Sequence, residues 1–155
     1  MTDRVATKLA ELGLTLPEAA APVAAYVPAV EAGGLLHISG QISFAADGTI
    51  MTGRAGEDRD LDYARAAAER CGLMLVAQMQ KALGDLYRVE RIAKLGVFVN
   101  SAPGFTDQPK VANGASELMV ALFGDAGRHA RSAVGVAVLP LGAIVEVDAI
   151  VQVQG

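Results

Sequence analysis

Apolar positions recur along this chain with two periods, and the switches between them divide it into elements. Val5, Leu9 and Leu12 repeat at helical spacing, which predicts a short helix over 3–13 that Asp3 starts and Gly13 stops. Residues 14–25, with Pro17 and Pro22, read as a loop. Two apolar runs, Tyr26–Val30 and Leu35–Ser39, flank Glu-Ala-Gly-Gly and predict a hairpin. After Gly40-Gln41 come an Asp47-Gly48 turn, a short β-like piece and a glycine-rich polar loop through Asp58. Ala68, Cys71, Gly72, Leu75, Met79, Ala82 and Leu83 form one stripe of the longest helix, 60–83, with Gly84 placed to cap its end. A strand over 90–99 leads through Ser101–Gly104 into a second long helix, 107–123, followed by Gly124.

Two strands end the chain, 130–139 and 143–153, joined by Pro140-Leu141-Gly142 and expected to pair with each other. In the first, Ser132, Val134, Val136 and Val138 alternate with Arg131, Ala133, Gly135 and Ala137. The β-branched side is expected to pack on the helices. In the second, Val145, Val147, Val151 and Val153 take one face, and Glu146, Asp148 and Gln152 the other. Such a hairpin places Arg131 and Glu146 near one another on one face. The pattern leaves two readings open. One is a cross-strand ion pair on a solvated sheet. The other is a ligand site, since small neighbours leave room beside a guanidinium whose fork suits a carboxylate. The element order predicts an α+β fold, a mixed sheet with both long helices packed on one face.

Composition narrows the function classes. A chain of 155 residues is the size of one domain, 1–155, with a helical extension over 1–14. Hydrophobic residues make up 52% and charged residues 19%, an apolar balance that points to a subunit interface. The net charge is −4, Trp is absent and basic residues are scattered, which argues against nucleic acid as a partner. The single cysteine, Cys71, falls on the helix stripe as core and fits a reducing cytoplasm. No run approaches a membrane span, and the start Met-Thr-Asp-Arg is no signal peptide, so a soluble cytoplasmic protein is expected. No metal-ligand cluster is visible, and no metal or cofactor is expected. Asp58, Asp60 and Asp62 precede a helix as caps, and Ser39 has no evident base partner. His37 and His129 read as packed or surface residues, although His129 is near enough to Arg131 to act on a carboxylate pocket through its charge.

Several segments together carry a family resemblance. Ala130-Arg131-Ser132, the stretch to Leu139-Pro140 and Ile144-Val145-Glu146-Val147 resemble the C-terminal signature of the reactive intermediate deaminase (Rid, or YjgF) family. Tyr26, the run Leu36-His37-Ile38-Ser39-Gly40-Gln41, Val97-Phe98-Val99 and Asn113 are similar to its other motifs, in order. The resemblance implies a chorismate-mutase-like fold and a homotrimer, with sheets forming a central barrel and ligand clefts between subunits. It implies hydrolysis of 2-imino or 2-enamino acids to 2-keto acids and ammonia. Arg131 would clamp the carboxylate, Glu146 would hold the attacking water, and Tyr26, Ser39, Gly40, Asn113 and Ala133 would form the pocket. Departures mark a longer subgroup. Ala133 stands where the family often has cysteine, Pro28 where glutamine is common, and the N-terminal helix and the loop 100–110 are extended. The alternative is a binding module that holds a 2-keto acid without turnover.

Overall fold

The computed structural model describes residues 3–22 and 24–155. Met1, Thr2 and Val23 lie outside the described residues, and with them parts of the expected 1–14 extension and 14–25 loop. Helix α1 (Arg4–Glu11) begins where the Asp3 carboxylate accepts from the amides of Val5 and Ala6, and it buries Val5 and Leu9. Helix α2 (Leu61–Leu83) is capped by the Asp60 side chain on the Tyr63 amide and ended by Gly84 at φ 79°. Helix α3 (Gln108–Phe123) has Pro109 in its first turn and ends at Gly124.

Five strands, β1 (Ala29–Ala32), β2 (Leu35–Ile42), β3 (Val89–Asn100), β4 (Ala130–Val136) and β5 (Val145–Val153), form one sheet in the order β1-β2-β5-β3-β4. The β1–β2 hairpin turns at Gly33-Gly34, both with positive φ, and its first strand starts at Ala29, leaving Tyr26 in a bend before it. The unit β3–α3–β4 is a parallel crossover, and every other pairing is antiparallel.

The expected β4–β5 hairpin does not form. β3 lies between the two strands and pairs with both. The connection from β4 must cross the end of β3, and it does so through Pro140–Gly142, where Leu141 takes φ 58°. Arg54 anchors this crossing. Its Nη2 donates to the Ala137 carbonyl at 2.9 Å and its Nε to Asn100 Oδ1 at 3.3 Å.

The main core lies between one sheet face and α2 and α3. Ile38, Leu95, Val97, Val145, Val147 and Val151 meet Cys71, Leu75, Met79, Ala115 and Met119 there. Close helix approach depends on glycine: a Cβ at Gly72 would stand 2.9 Å from Leu118 Cδ2, and one at Gly114 would overlap the Arg65 carbonyl. Burial holds the Cys71 thiol far above its ordinary value, as a core side chain.

The face of β4 is the reverse of the expected one. Across the sheet, Arg131 is level with Leu95, Ala149 and Ile38, three buried core residues, so Arg131 and Ala133 turn toward the helices. Val134 is level with Phe98, Glu146 and Ile42 on the opposite face, and it remains 45% exposed. Val138, beyond the strand, is 69% exposed. This second face also carries Val30 and Ile150 beside His37, Lys94, Glu146 and Asp148, and the helices leave it open.

Candidate functional site

Candidate residues gather in two places on opposite faces of the sheet. The first lies at the β4 edge. Arg131 crosses to α3, where its Nη1 donates to Asn113 Oδ1 at 2.9 Å and to Ser116 Oγ at 3.1 Å, while its Nη2 donates to the Pro109 carbonyl at 3.3 Å. Three of the five guanidinium hydrogens are thereby placed. The Nε–H and one Nη2–H find no acceptor among the described residues, and no carboxylate there pairs with this cation. A fixed, unneutralised guanidinium with an edge left over is a receptor for a planar anion. The Arg131–Glu146 ion pair that the sequence allowed is excluded, because the two side chains leave the sheet on opposite sides.

Ser116 and His129 complete this cluster. His129 Nδ1 is 2.6 Å from the Gly127 carbonyl, which can only accept, so Nδ1 carries the proton. Nε2 is then an acceptor and takes the Ser116 hydroxyl hydrogen at 2.8 Å. Burial first, and the Arg131 charge after it, lower the His129 pKa below 6.5 and favour this neutral form. The sequence already placed His129 near enough to Arg131 to act through its charge, and in the structure it lies just ahead of β4, two residues before Arg131. Ser116 was not assigned, although it follows Asn113 by three positions on one helix face. Ala133 continues the helix-facing row of β4 and packs against the core.

The second place is a bulge. β2 changes register against β5 between Ile38 and Gln41, which brings Ser39 and Gly40 to the start of the Glu146 row. A Cβ at Gly40 would overlap the Glu146 carboxylate, so glycine makes the room in which that side chain lies. Glu146, Gly40, Tyr26, Pro28, Phe44 and Leu141 line a small cavity of about 120 Å³. Tyr26 is 47% exposed at its wall. Ser39 is used differently: its hydroxyl donates to the Val27 carbonyl at 2.8 Å and holds the segment that presents Tyr26. Half-burial, and then the charge of Asp148, raise the Glu146 pKa above 4.5. Burial raises Asp148 as well, against a Gly96 backbone hydrogen bond and the Lys94 charge.

One chain therefore brings Arg131, Asn113 and Ala133 together, and separately Tyr26, Ser39, Gly40 and Glu146. It does not bring the two sets together. Among the described residues, no three His, Cys, Asp or Glu side chains cluster to hold a metal ion. No helix among them is long and apolar enough to cross a membrane.

Residues 6–153 match the family described as "YjgF/chorismate_mutase-like, putative endoribonuclease". Protein TCP17 of Trypanosoma cruzi is 55% identical over 154 residues, covering 99% of this chain and 96% of that protein. The crystal structure of Atu1372 from Agrobacterium tumefaciens superposes with a TM-score of 0.90 at 45% identity, over 98% of this chain and 95% of that one. A structure from Shewanella oneidensis, described as a "putative endoribonuclease", gives 0.92 at 32% identity, over 96% and 99%.

Proposed function

The chain belongs to the YjgF/chorismate-mutase-like family, and we propose that it hydrolyses reactive 2-imino and 2-enamino acids to 2-keto acids and ammonia in a cleft between subunits of a homotrimer. The observation that carries this reading is the Arg131 guanidinium, held by Asn113, Ser116 and the Pro109 carbonyl with no carboxylate beside it. Its open edge suits the carboxylate of such a substrate.

Glu146 is the complementary half. An imine carbon is electrophilic already, so a positioned water and a base suffice. Glu146 takes a proton from water as its oxygen adds to the carbon of the protonated imine, giving a neutral tetrahedral amino alcohol. Glu146 returns that proton to the nitrogen, the C–N bond breaks as the C=O bond forms, and the hydroxyl proton passes through Glu146 to the departing ammonia. Protonated imine and water become keto acid and ammonium, with no other reactant. A carboxyl raised toward neutrality serves both steps better than an ordinary one. Because Arg131 and Glu146 point away from each other in one chain, the reading requires Arg131 of one subunit to face Glu146 of the next. The open second face of the sheet, where Val30 and Val134 stand half exposed, is suited to that contact.

The test is an imine-trapping assay. An amino-acid oxidase generates 2-iminopropionate, semicarbazide traps what survives, and loss of semicarbazone reports hydrolysis. The wild type should speed that loss, and Arg131→Ala and Glu146→Gln should not. An inert wild type across several amino-acid precursors would overturn the enzyme in favour of a binding module for 2-keto acids. Two features favour that second reading: Ala133 offers no functional group, and the Ser39 hydroxyl is spent on Val27. The endoribonuclease of the family's description finds no support in a net charge of −4.

A further inference from the structure

Arg131 does not end the hydrogen-bond chain in which it lies. Read outward from the helix side, the Gly127 carbonyl accepts from His129 Nδ1, His129 Nε2 accepts from Ser116, and Ser116 Oγ accepts from Arg131 Nη1. The two outer bonds are fixed by a carbonyl that only accepts and a guanidinium that only donates, and the middle bond runs from Ser116 to Nε2 when His129 is neutral. One member of this chain can reverse its role near neutral pH, and that is His129.

We propose that His129, acting through Ser116, is a positioning residue that couples capture of an anion at Arg131 to uptake of a proton. This rests on the reading of Arg131 as a carboxylate anchor. With His129 neutral, the Ser116 hydrogen is committed to Nε2 and only its lone pairs face Arg131. With His129 protonated, Nε2 becomes a donor to Ser116 Oγ. The hydroxyl hydrogen is then released from Nε2, and the imidazolium adds a second positive charge one hydroxyl away from the guanidinium. That charge favours a bound carboxylate. By linkage, a bound carboxylate must favour the imidazolium equally.

The other charges around His129 are already engaged. Asp125 and Arg128 of the preceding turn pair with each other at 3.3 Å. Arg91 of β3 donates to the Arg128 carbonyl. On α3, Glu117 pairs with Arg65 of α2, and Lys110 with Asp107 at 3.6 Å. Lys94 of β3 is level with Ala130 on the opposite sheet face, the face of Asp148 and Glu146. Arg131 is thus the charge that acts on His129; burial first and that charge last favour the neutral ring, against the Gly127 hydrogen bond.

Proton NMR of the intact protein tests this, with pyruvate as the probe. The chain has two histidines, so the His129 resonance is assigned by its loss in His129→Gln. Saturating pyruvate should raise the His129 pKa by about one unit, equivalent to about tenfold tighter binding to the protonated form. An unchanged His129 pKa in the presence of bound pyruvate overturns the inference. Pyruvate affinity should also rise as pH falls from about 7 to 5, by about tenfold in all at most. His129→Gln and Ser116→Ala should flatten that rise, and Ser116→Thr, which keeps the hydroxyl, should restore it. Glu146 titrates in the same direction, so Glu146→Gln is the control and should keep the rise. If Glu146→Gln loses it while His129→Gln keeps it, the coupling belongs to Glu146 and the inference fails. If Arg131→Ala binds pyruvate as the wild type does, the carboxylate-anchor reading itself fails. Need for Arg131 with an unmoved His129 removes only the coupling.

Discussion

Arg131 and Glu146 stand on opposite faces of one sheet, on strands separated by β3. Leu95 and Phe98 of that strand mark the two faces: Leu95 is level with Arg131 and fully buried, while Phe98 is level with Glu146. A reaction that needs both residues needs two chains.

Subunit complementation follows directly. The Arg131→Ala and Glu146→Gln proteins should each be inactive in the imine assay. Unfolded together and refolded as a mixture, they should recover about a quarter of wild-type activity, the share of clefts that receive an intact residue from each side in a cyclic assembly. No recovery from correctly assembled mixtures would mean that the two residues do not share a site.

The pH dependence of Glu146 has a defined sign. Its pKa is raised in the folded protein above 4.5, by burial first and Asp148 second. Between 4.5 and the folded value, the folded protein binds more protons than the unfolded chain. Stability therefore falls as pH rises through that window. Thermal melting as a function of pH should show this component in the wild type and lose it in Glu146→Gln. In the activity profile the acid limb should lie above 4.5. Asp148→Asn, which removes the like charge, should move the limb to lower pH without abolishing turnover.

Val134 tests the assembly. It is 45% exposed beside Phe98 on the face the helices leave open. Val134→Asp should reduce the mass measured by light scattering from trimer toward monomer, because a charge there must be desolvated at a packed contact. An unchanged mass would place the interface elsewhere.

Gly114→Ala probes the α2–α3 crossing. Alanine is the better helix former by about 1 kcal/mol. Here its methyl group would overlap the Arg65 backbone carbonyl, which cannot rotate away. Overpacking of this kind costs about 1–3 kcal/mol. Chemical denaturation should accordingly show a net loss of stability, with the slope of the transition unchanged.

Periodicity and caps located the three helices, whereas the first strand lies at Ala29–Ala32 and not at Tyr26–Val30, and β4 ends at Val136 short of residue 139. Asp3, Asp60 and Gly84 end helices where their side chains or positive φ are needed, and the α2 stripe through Cys71, Leu75 and Met79 is core. The site was legible in part. Arg131 meets Asn113, and Gly40 lies against Glu146. Ser116 went unassigned although its spacing from Asn113 placed it on the same helix face, and His129 was read from the sequence only as a charge near Arg131.

By itself, the alternation of β4 determined which residues share a side, because successive side chains of a strand point oppositely. It could not determine which side meets the helices. Both rows are small or β-branched, and the valines would have suited either environment. Tertiary structure decided it, through acceptors that lie far away in sequence: Asn113, Ser116 and the Pro109 carbonyl on α3 offer a half-buried guanidinium the hydrogen bonds it needs. The valines were left to the open face, where exposure costs them little until another surface covers them. Pairing was decided in the same way. A three-residue connection made β4 and β5 look like neighbours, but the crossing at Pro140–Gly142, braced by Arg54, carries the chain past β3 to the centre of the sheet. That placement gives β5, with Val145, Val147 and Val151, a strand on each side and a fully buried row beneath the helices.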